Sequence, residues 1–210
     1  AIESYKQALK IKPDYAEAYN NMGTALNDKG ELKAAIESYK QAIKSKPDFA
    51  DAYNNMGAAQ KNKGDLGAAI ESFKQALTLK LDHGESHRNL SLITKYDERS
   101  PHVVQMQNLY RDNKITEDQR CHLSFALAKV FEDLNDLDQS FSYLVLGNDL
   151  RKNLLDYNIE KDIKLFDLLK KSYPSINKIS SKTVGETSEL SPIFILGMPR
   201  SGTTLVEQIV

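Results

Sequence analysis

The sequence predicts a mainly α chain: an α-solenoid of paired antiparallel helices, then a helical bridge, then a first strand, a phosphate-type loop and the opening of a helix. Three observations predict this. Residues 16–49 and 50–83 are identical at 21 of 34 positions, and a fixed period of this length marks a solenoid built from one repeated unit. Residues 98–173 show helix-start signals and amphipathic runs without close repetition. Near the C-terminus, the apolar run Ile193–Leu196 leads into a loop bounded by Gly197 and Gly202.

In the first part, residues 1–97, each repeated position has a packing reason. Gly23 recurs as Gly57, Gly30 as Gly64, Ala35 as Ala69, Tyr39 as Phe73 and Ala42 as Ala76. Small residues at Gly23, Ala35 and Ala42 allow close approach of two helices, and Tyr19, Met22, Ile36 and Tyr39 supply apolar faces. Gly30 and Gly64 end the first helix of each pair, and Pro47-Asp48 ends the second. One period earlier, Ala1, Tyr5, Ala8 and Pro13 match Ala35, Tyr39, Ala42 and Pro47, which gives a half repeat. One period later only a closing helix is expected, about Gly84 to Tyr96. Leu81 stands there where a proline is expected, and Ser91 where a glycine is expected. The pattern resembles the tetratricopeptide consensus closely, and the resemblance implies a superhelix with a groove lined by the first helix of each repeat.

Asn21, Asn55 and Asn89 recur at one slot of that first helix. An amide offers both a donor and an acceptor, so such a row could bind a peptide backbone without reading its side chains. The row is similar to the asparagine ladder in the repeats of O-GlcNAc transferase, which implies a protein or peptide partner in the groove. Two plainer readings stay open: asparagine tolerates an exposed helix face, or it bonds to the next repeat.

The bridge, residues 98–173, is read as helices. Ser100-Pro101 offers a cap and a first-turn proline for a helix through about Arg111. Thr116-Glu117-Asp118-Gln119 forms a capping box for a helix through about Leu134. Leu137 to Leu150 follows the turn at Asn135-Asp136, with Phe141, Leu144 and Leu146 as its expected apolar face. With Ala128 and Ser140 in the small slots, this pair reads as a degenerate repeat; Leu123 to Lys152 also resembles the helical bridge of bacterial repeat-bearing sulfotransferases. A further amphipathic helix is expected from Ile159 to Ser172, and residues 174–191 are read as a linker rich in Ser, Lys and Thr.

The last segment, residues 192–210, carries the chemistry. A buried strand, a glycine-bounded loop and hydroxyls at a helix N-terminus together make a cradle for an anion; an ordinary turn is the plainer alternative. The Gly197 to Gly202 spacing fits a nucleotide-binding P-loop, but Thr203 stands in the lysine slot, which argues against a kinase or nucleotide hydrolase. Pro199-Arg200-Ser201-Gly202-Thr203-Thr204 resembles the 5′-phosphosulfate loop of sulfotransferases that use PAPS (3′-phosphoadenosine 5′-phosphosulfate). The arginine form looks like the branch of protein-tyrosine sulfotransferases and bacterial sulfotransferases with tetratricopeptide repeats. That resemblance implies a transferase with PAPS as co-substrate. Arg200 would stabilise charge in catalysis, and Arg200, Ser201, Gly202, Thr203 and Thr204 would bind the cofactor.

Bulk properties exclude some classes. The chain has 210 residues and a net charge of −1, and neither half is basic enough for a nucleic-acid or membrane-surface protein. No apolar run approaches a spanning helix. The single Cys121 excludes an internal disulfide and fits a reducing, cytoplasmic setting. His83 and His87 are spaced i,i+4, but no third ligand is apparent and His87 occupies the slot of Tyr19 and Tyr53, so it is read as a packing residue and no metal site is expected. Glu132, Asp133, Asp136 and Asp138 read as a solvated turn. The chain opens in mid-repeat and closes about two turns into a helix, so an internal fragment is expected, inactive by itself because the family's general base and 3′-phosphate site would lie beyond Val210. The competing class is a non-enzymatic repeat scaffold for protein–protein interaction.

Overall fold

The computed structural model describes the backbone of residues 1–180 and the side chains of residues 1–172. Among them are ten α-helices and no strand. The loop residues Arg200, Ser201, Gly202, Thr203 and Thr204, and the strand expected at 192–196, lie outside the described residues.

Residues 1–157 form one compact unit. It holds α1 (Ile2–Ile11), α2 (Ala16–Asp28), α3 (Leu32–Ser45), α4 (Ala50–Lys63), α5 (Leu66–Leu79), α6 (Gly84–Ser91), α7 (Pro101–Arg111), α8 (Glu117–Asp133) and α9 (Leu137–Leu154). Each helix up to α6 packs on the next, and α2 also touches α4 and α4 touches α6. The first helices of successive repeats therefore make a continuous layer.

Two rings lock the repeats. Tyr39 and Phe73 are fully buried, each lying against a glycine of the preceding helix. A Cβ on Gly23 would sit 2.6 Å from Tyr39 Cε1, and one on Gly57 would sit 2.7 Å from Phe73 Cε1. Real contacts are never that close, so the glycine is fixed by the aromatic ring it faces. Ala35, Ala42, Ala69 and Ala76 are also completely buried, as the small slots require. The first helices end where expected: Gly30 and Gly64 have φ of +78° and +91°, a conformation open to glycine at no steric cost. Asn135 takes the same role between α8 and α9 with φ of +59°.

The third repeat departs from the expected pattern. Helix α6 stops at Ser91 instead of reaching Tyr96. Ser91 Oγ donates back to the Arg88 carbonyl at 2.8 Å, and Tyr96 is buried in a core with Val103, Met106, Leu123 and Leu127. Burying that ring between α7 and α8 outweighs another turn of α6. Helix α7 stands in the second-helix position but packs mainly on α8, and α8 packs directly on α6. The packing thus continues past α6 instead of closing there.

Helix α8 opens with the expected capping box: Thr116 Oγ1 accepts from Gln119 N at 3.2 Å and Thr116 N donates to Gln119 Oε1 at 2.7 Å. Ser100, expected to cap α7, does not; its hydroxyl donates to Asp97 Oδ1 at 2.9 Å. The expected apolar face of α9 needs correction too. Phe141, Leu144 and Leu146 are exposed, and α9 buries Ser140 and Gly147 instead. A Cβ on Gly147 would lie 3.1 Å from Ser124 Cβ, so α9 lays its small-residue stripe on α8, as a second helix does in the regular repeats.

A second unit begins at Asn158. Asn158 Oδ1 accepts from Glu160 N at 2.9 Å, at the start of α10 (Ile159–Ser180). This helix runs past Ser172 and through Pro174, where the sequence predicts a linker.

Candidate functional site

The repeated Asn-Asn doublet lies on the layer of first helices. Its two members do different work. Asn20 and Asn54 are buried, Asn54 almost completely, whereas Asn21 is exposed and Asn55 and Asn89 are half-buried. Asn55 Nδ2 donates to Asn20 Oδ1 at 3.0 Å, and Asn89 Nδ2 donates to Asn54 Oδ1 at 3.0 Å. Two turns further on, Asn62 Nδ2 donates to Asn27 Oδ1 at 3.3 Å. Each bond joins positions 35 apart, one repeat plus one residue.

The structure therefore brings Asn21, Asn55 and Asn89 onto successive, contacting helices. It also places the inter-repeat bond that the sequence left open. Asn55 and Asn89 each commit one amide hydrogen to the preceding repeat, and the amide plane is thereby fixed. The side-chain carbonyl and the second hydrogen stay outside that bond, so each residue retains an acceptor and a donor. The buried partners Asn20 and Asn54 were not singled out from sequence. Their signal was present all the same, in the repetition of both members of the doublet.

At the next step the doublet becomes Arg88-Asn89. The Arg88 guanidinium lies over the Phe125 ring of α8, 4.9 Å from its centroid, so a cation–π contact replaces the amide bond at this junction. Among the described residues the row ends at Asn89.

Beside Asn54 sits a chain of polar groups. Ser86 Oγ lies 3.1 Å from Asn54 Oδ1 and 2.9 Å from His83 Nδ1, and His83 Nε2 lies 2.9 Å from Asp51 Oδ1. Serine, histidine and aspartate in this order suggest a nucleophile with its base and acid. The surroundings do not permit that chemistry. Ser86 has no exposed surface, and His83 Nδ1 already accepts the Ser86 backbone N–H at 3.2 Å. The group is the N-terminal cap of α6, with His83 serving where Asp65 serves in α5.

His83 and His87 do not converge on one point. His87 is buried in the tyrosine slot and bonds to His102 and the Leu81 carbonyl. No group of three or more His, Cys, Asp or Glu among the described residues could hold a metal ion. The acidic turn is structural: Asp136 Oδ1 caps α9 by accepting Gln139 N at 3.1 Å, and Asp133 pairs with Lys129 and accepts Tyr96 N at 3.2 Å. Cys121 is buried, its thiol pushed above the ordinary range by loss of water. No helix among the described residues is long and apolar enough to cross a membrane.

Two family descriptions match the chain: TPR repeat over residues 1–27 and 23–64, and tetratricopeptide repeat over residues 50–83. An uncharacterized protein of Aquifex aeolicus (strain VF5) is 31% identical over 121 residues, which is 54% of this chain and 15% of that protein. This chain thus spans well under a fifth of the curated relative it matches. Among solved structures, a crystal structure of MamA is 21% identical, covers 74% of this chain and 90% of its own, and superposes with a TM-score of 0.51. A second structure of MamA protein is 22% identical, covers 75% and 85%, and gives 0.52. These likenesses show the fold. Residues 1–83 are tetratricopeptide repeats, and they open a mainly helical solenoid of that kind.

Proposed function

We propose that the solenoid binds an extended peptide segment of a partner protein along Asn21, Asn55 and Asn89. The observation that carries this reading is the pair of inter-repeat amide bonds, Asn55 to Asn20 and Asn89 to Asn54. They hold two amides of the row in fixed orientation, each with an acceptor and a donor left over, so little side-chain freedom is lost on binding. Such a surface bonds to backbone and is indifferent to side chains. The test is selection of peptides from a displayed library on the wild-type chain, followed by calorimetry with the combined variant Asn21→Ala, Asn55→Ala and Asn89→Ala. Each lost hydrogen bond contributes about 0.5–1.5 kcal/mol, so a loss of affinity of about tenfold or more is expected. Unchanged affinity in a variant that remains helical would remove the row from the binding surface.

A second reading adds an enzyme, and a specific feature of the sequence favours it: the motif Pro199-Arg200-Ser201-Gly202-Thr203-Thr204. In this proposal the chain is part of a PAPS-dependent sulfotransferase whose repeats recruit the acceptor protein. A hydroxyl of the acceptor attacks the sulfuryl group in line, and Arg200 offsets the charge growing on the bridging oxygen. Backbone amides and hydroxyls from Ser201 to Thr204 receive the 5′-phosphate. Calorimetry of PAPS with the protein as expressed from its own gene decides this. Arg200→Ala should lower affinity by roughly tenfold to a hundredfold, the range of a charge-assisted hydrogen bond. Absence of PAPS binding by that protein would leave the scaffold reading alone.

A further inference from the structure

The distorted third repeat contains a chain of hydrogen bonds that runs between α6 and α7. His87 Nε2 lies 2.8 Å from the Leu81 carbonyl oxygen. His87 Nδ1 lies 2.7 Å from His102 Nε2, and His102 Nδ1 lies 2.8 Å from the Tyr96 hydroxyl. The two imidazoles stack with centroids 5.0 Å apart. Sequence reading absorbed His87 as a packing residue and did not single out His102.

Chemistry fixes the direction of this chain. A carbonyl oxygen only accepts, so His87 Nε2 carries the hydrogen. In neutral His87 the Nδ1 atom is then an acceptor and takes the hydrogen of His102 Nε2. That leaves His102 Nδ1 as the acceptor of the Tyr96 O–H. Every ring nitrogen is used, and none has a lone pair left for a proton. One added proton ends on His102 Nδ1, with or without reversal of the bond between the rings; either way Tyr96 must turn its hydroxyl hydrogen away from His102, and a buried cation is left. Two added protons set N–H against N–H across the 2.7 Å contact, and the contact must open.

We propose that His87 and His102 form an acid-sensitive latch, and that proton uptake by both rings releases α7 from α6. The groups that face the pair offset the charge only in part: the Leu81 carbonyl and Asp82 favour it on His87, and burial outweighs both. Asp82, on the α5–α6 loop, acts on His87 only through space, since its carboxylate accepts from Gln119 Nε2 at 2.7 Å. His83, on the same loop, repels a charge on His87. Lys74 of α5 lines the same cleft as His102. Asp133 of α8 acts on Tyr96 and is paired with Lys129. Burial, above all, holds His87 at about 4 and His102 at about 3, against an ordinary 6.5, and a charge on His87 further disfavours one on His102.

The sign follows from those directions. The latched state prefers neutral rings, so its advantage is complete above pH 6.5 and falls as pH drops towards the latched values. Between pH 7 and pH 4 each ring shifts the opening equilibrium by roughly a hundredfold. Opening would widen a cleft between α5 and α7 of about 800 Å³, walled by Leu77, Leu81, Leu90 and Pro101, and expose apolar surface. This device does not depend on what the asparagine row binds.

Hydrogen exchange on the full chain, corrected for the intrinsic pH dependence, tests it. Between pH 6.5 and pH 4.5, exchange across residues 84–111 should rise at least tenfold more than across residues 16–79. The combined variant His87→Gln and His102→Gln keeps a donor and an acceptor at both positions and cannot titrate. It should lose that excess. Loosening spread evenly over the chain, or the same excess in the variant, overturns the latch. If the variant fails to fold, ring-proton titration of the wild type decides: both histidines titrating below pH 5 supports the latch, and either one titrating near pH 6.5 overturns it.

Discussion

Asn55 of the second repeat donates its side-chain amide to Asn20 of the first at 3.0 Å, and Asn89 repeats the bond to Asn54 with the same length. A residue that sequence assigns to a binding surface is thus also a fastener between repeats. The buried acceptor of each pair should matter more for stability than Asn21, the exposed member of the row.

Asn54→Ala tests that distinction. Asn54 Oδ1 accepts from Asn89 Nδ2 and Ser86 Oγ; without it the half-buried Asn89 amide loses its acceptor, and the buried Ser86 hydroxyl keeps only His83 Nδ1 at 2.9 Å. A loss of about 1–3 kcal/mol is expected, the cost of leaving one such polar group without its partner. Asn21→Ala, on an exposed site, should stay within about 0.5 kcal/mol of wild type. Urea melts, read alongside hydrogen exchange in α4 and α6, compare the two.

Gly57→Ala would bring a methyl to within 2.7 Å of Phe73 Cε1. Overpacking of this kind costs about 1–3 kcal/mol. The cause is a specific ring, so Phe73→Leu in the same chain should restore part of the loss. A double-mutant cycle in thermal or urea unfolding measures the coupling; a cycle with no coupling would show that the glycine is needed for another reason.

Gly64 and Asn135 occupy equivalent turns with φ of +91° and +59°. Gly64→Ala places a Cβ in the left-handed region and should cost about 1–2 kcal/mol. Asn135→Gly should change stability by less than about 0.5 kcal/mol, since relief of backbone strain is offset by a more flexible unfolded chain. Differential scanning calorimetry of both variants provides the check.

Much of the solenoid was legible in the sequence because its packing is local and periodic. Gly23 with Tyr39, and Gly57 with Phe73, recur at one period; the left-handed turns need glycine; and the Thr116–Gln119 capping box lies within four residues. None of these needs knowledge of distant contacts. The α9 face was misread for a physical reason: Phe141, Leu144 and Leu146 look like a core stripe, yet a second helix packs through its small residues, and Ser140 with Gly147 won the interface. The end of α6 was equally illegible, since it depends on Tyr96 being drawn into a core made with Met106 and Leu127, residues that come later in the chain.

By itself, then, the sequence determined the repeat, the helix ends of its regular units and the row of asparagines, because periodic spacing and backbone preference act within one or two repeats. It also carries the Arg200–Thr204 motif on which the transferase reading rests. Tertiary structure alone decided which amide of each doublet is buried, that Asn55 and Asn89 fasten one repeat to the last, and that His87 meets His102. Those outcomes depend on where separate helices come to lie. A bond between groups 35 residues apart is fixed by the rise and turn of the superhelix, which no single helix encodes.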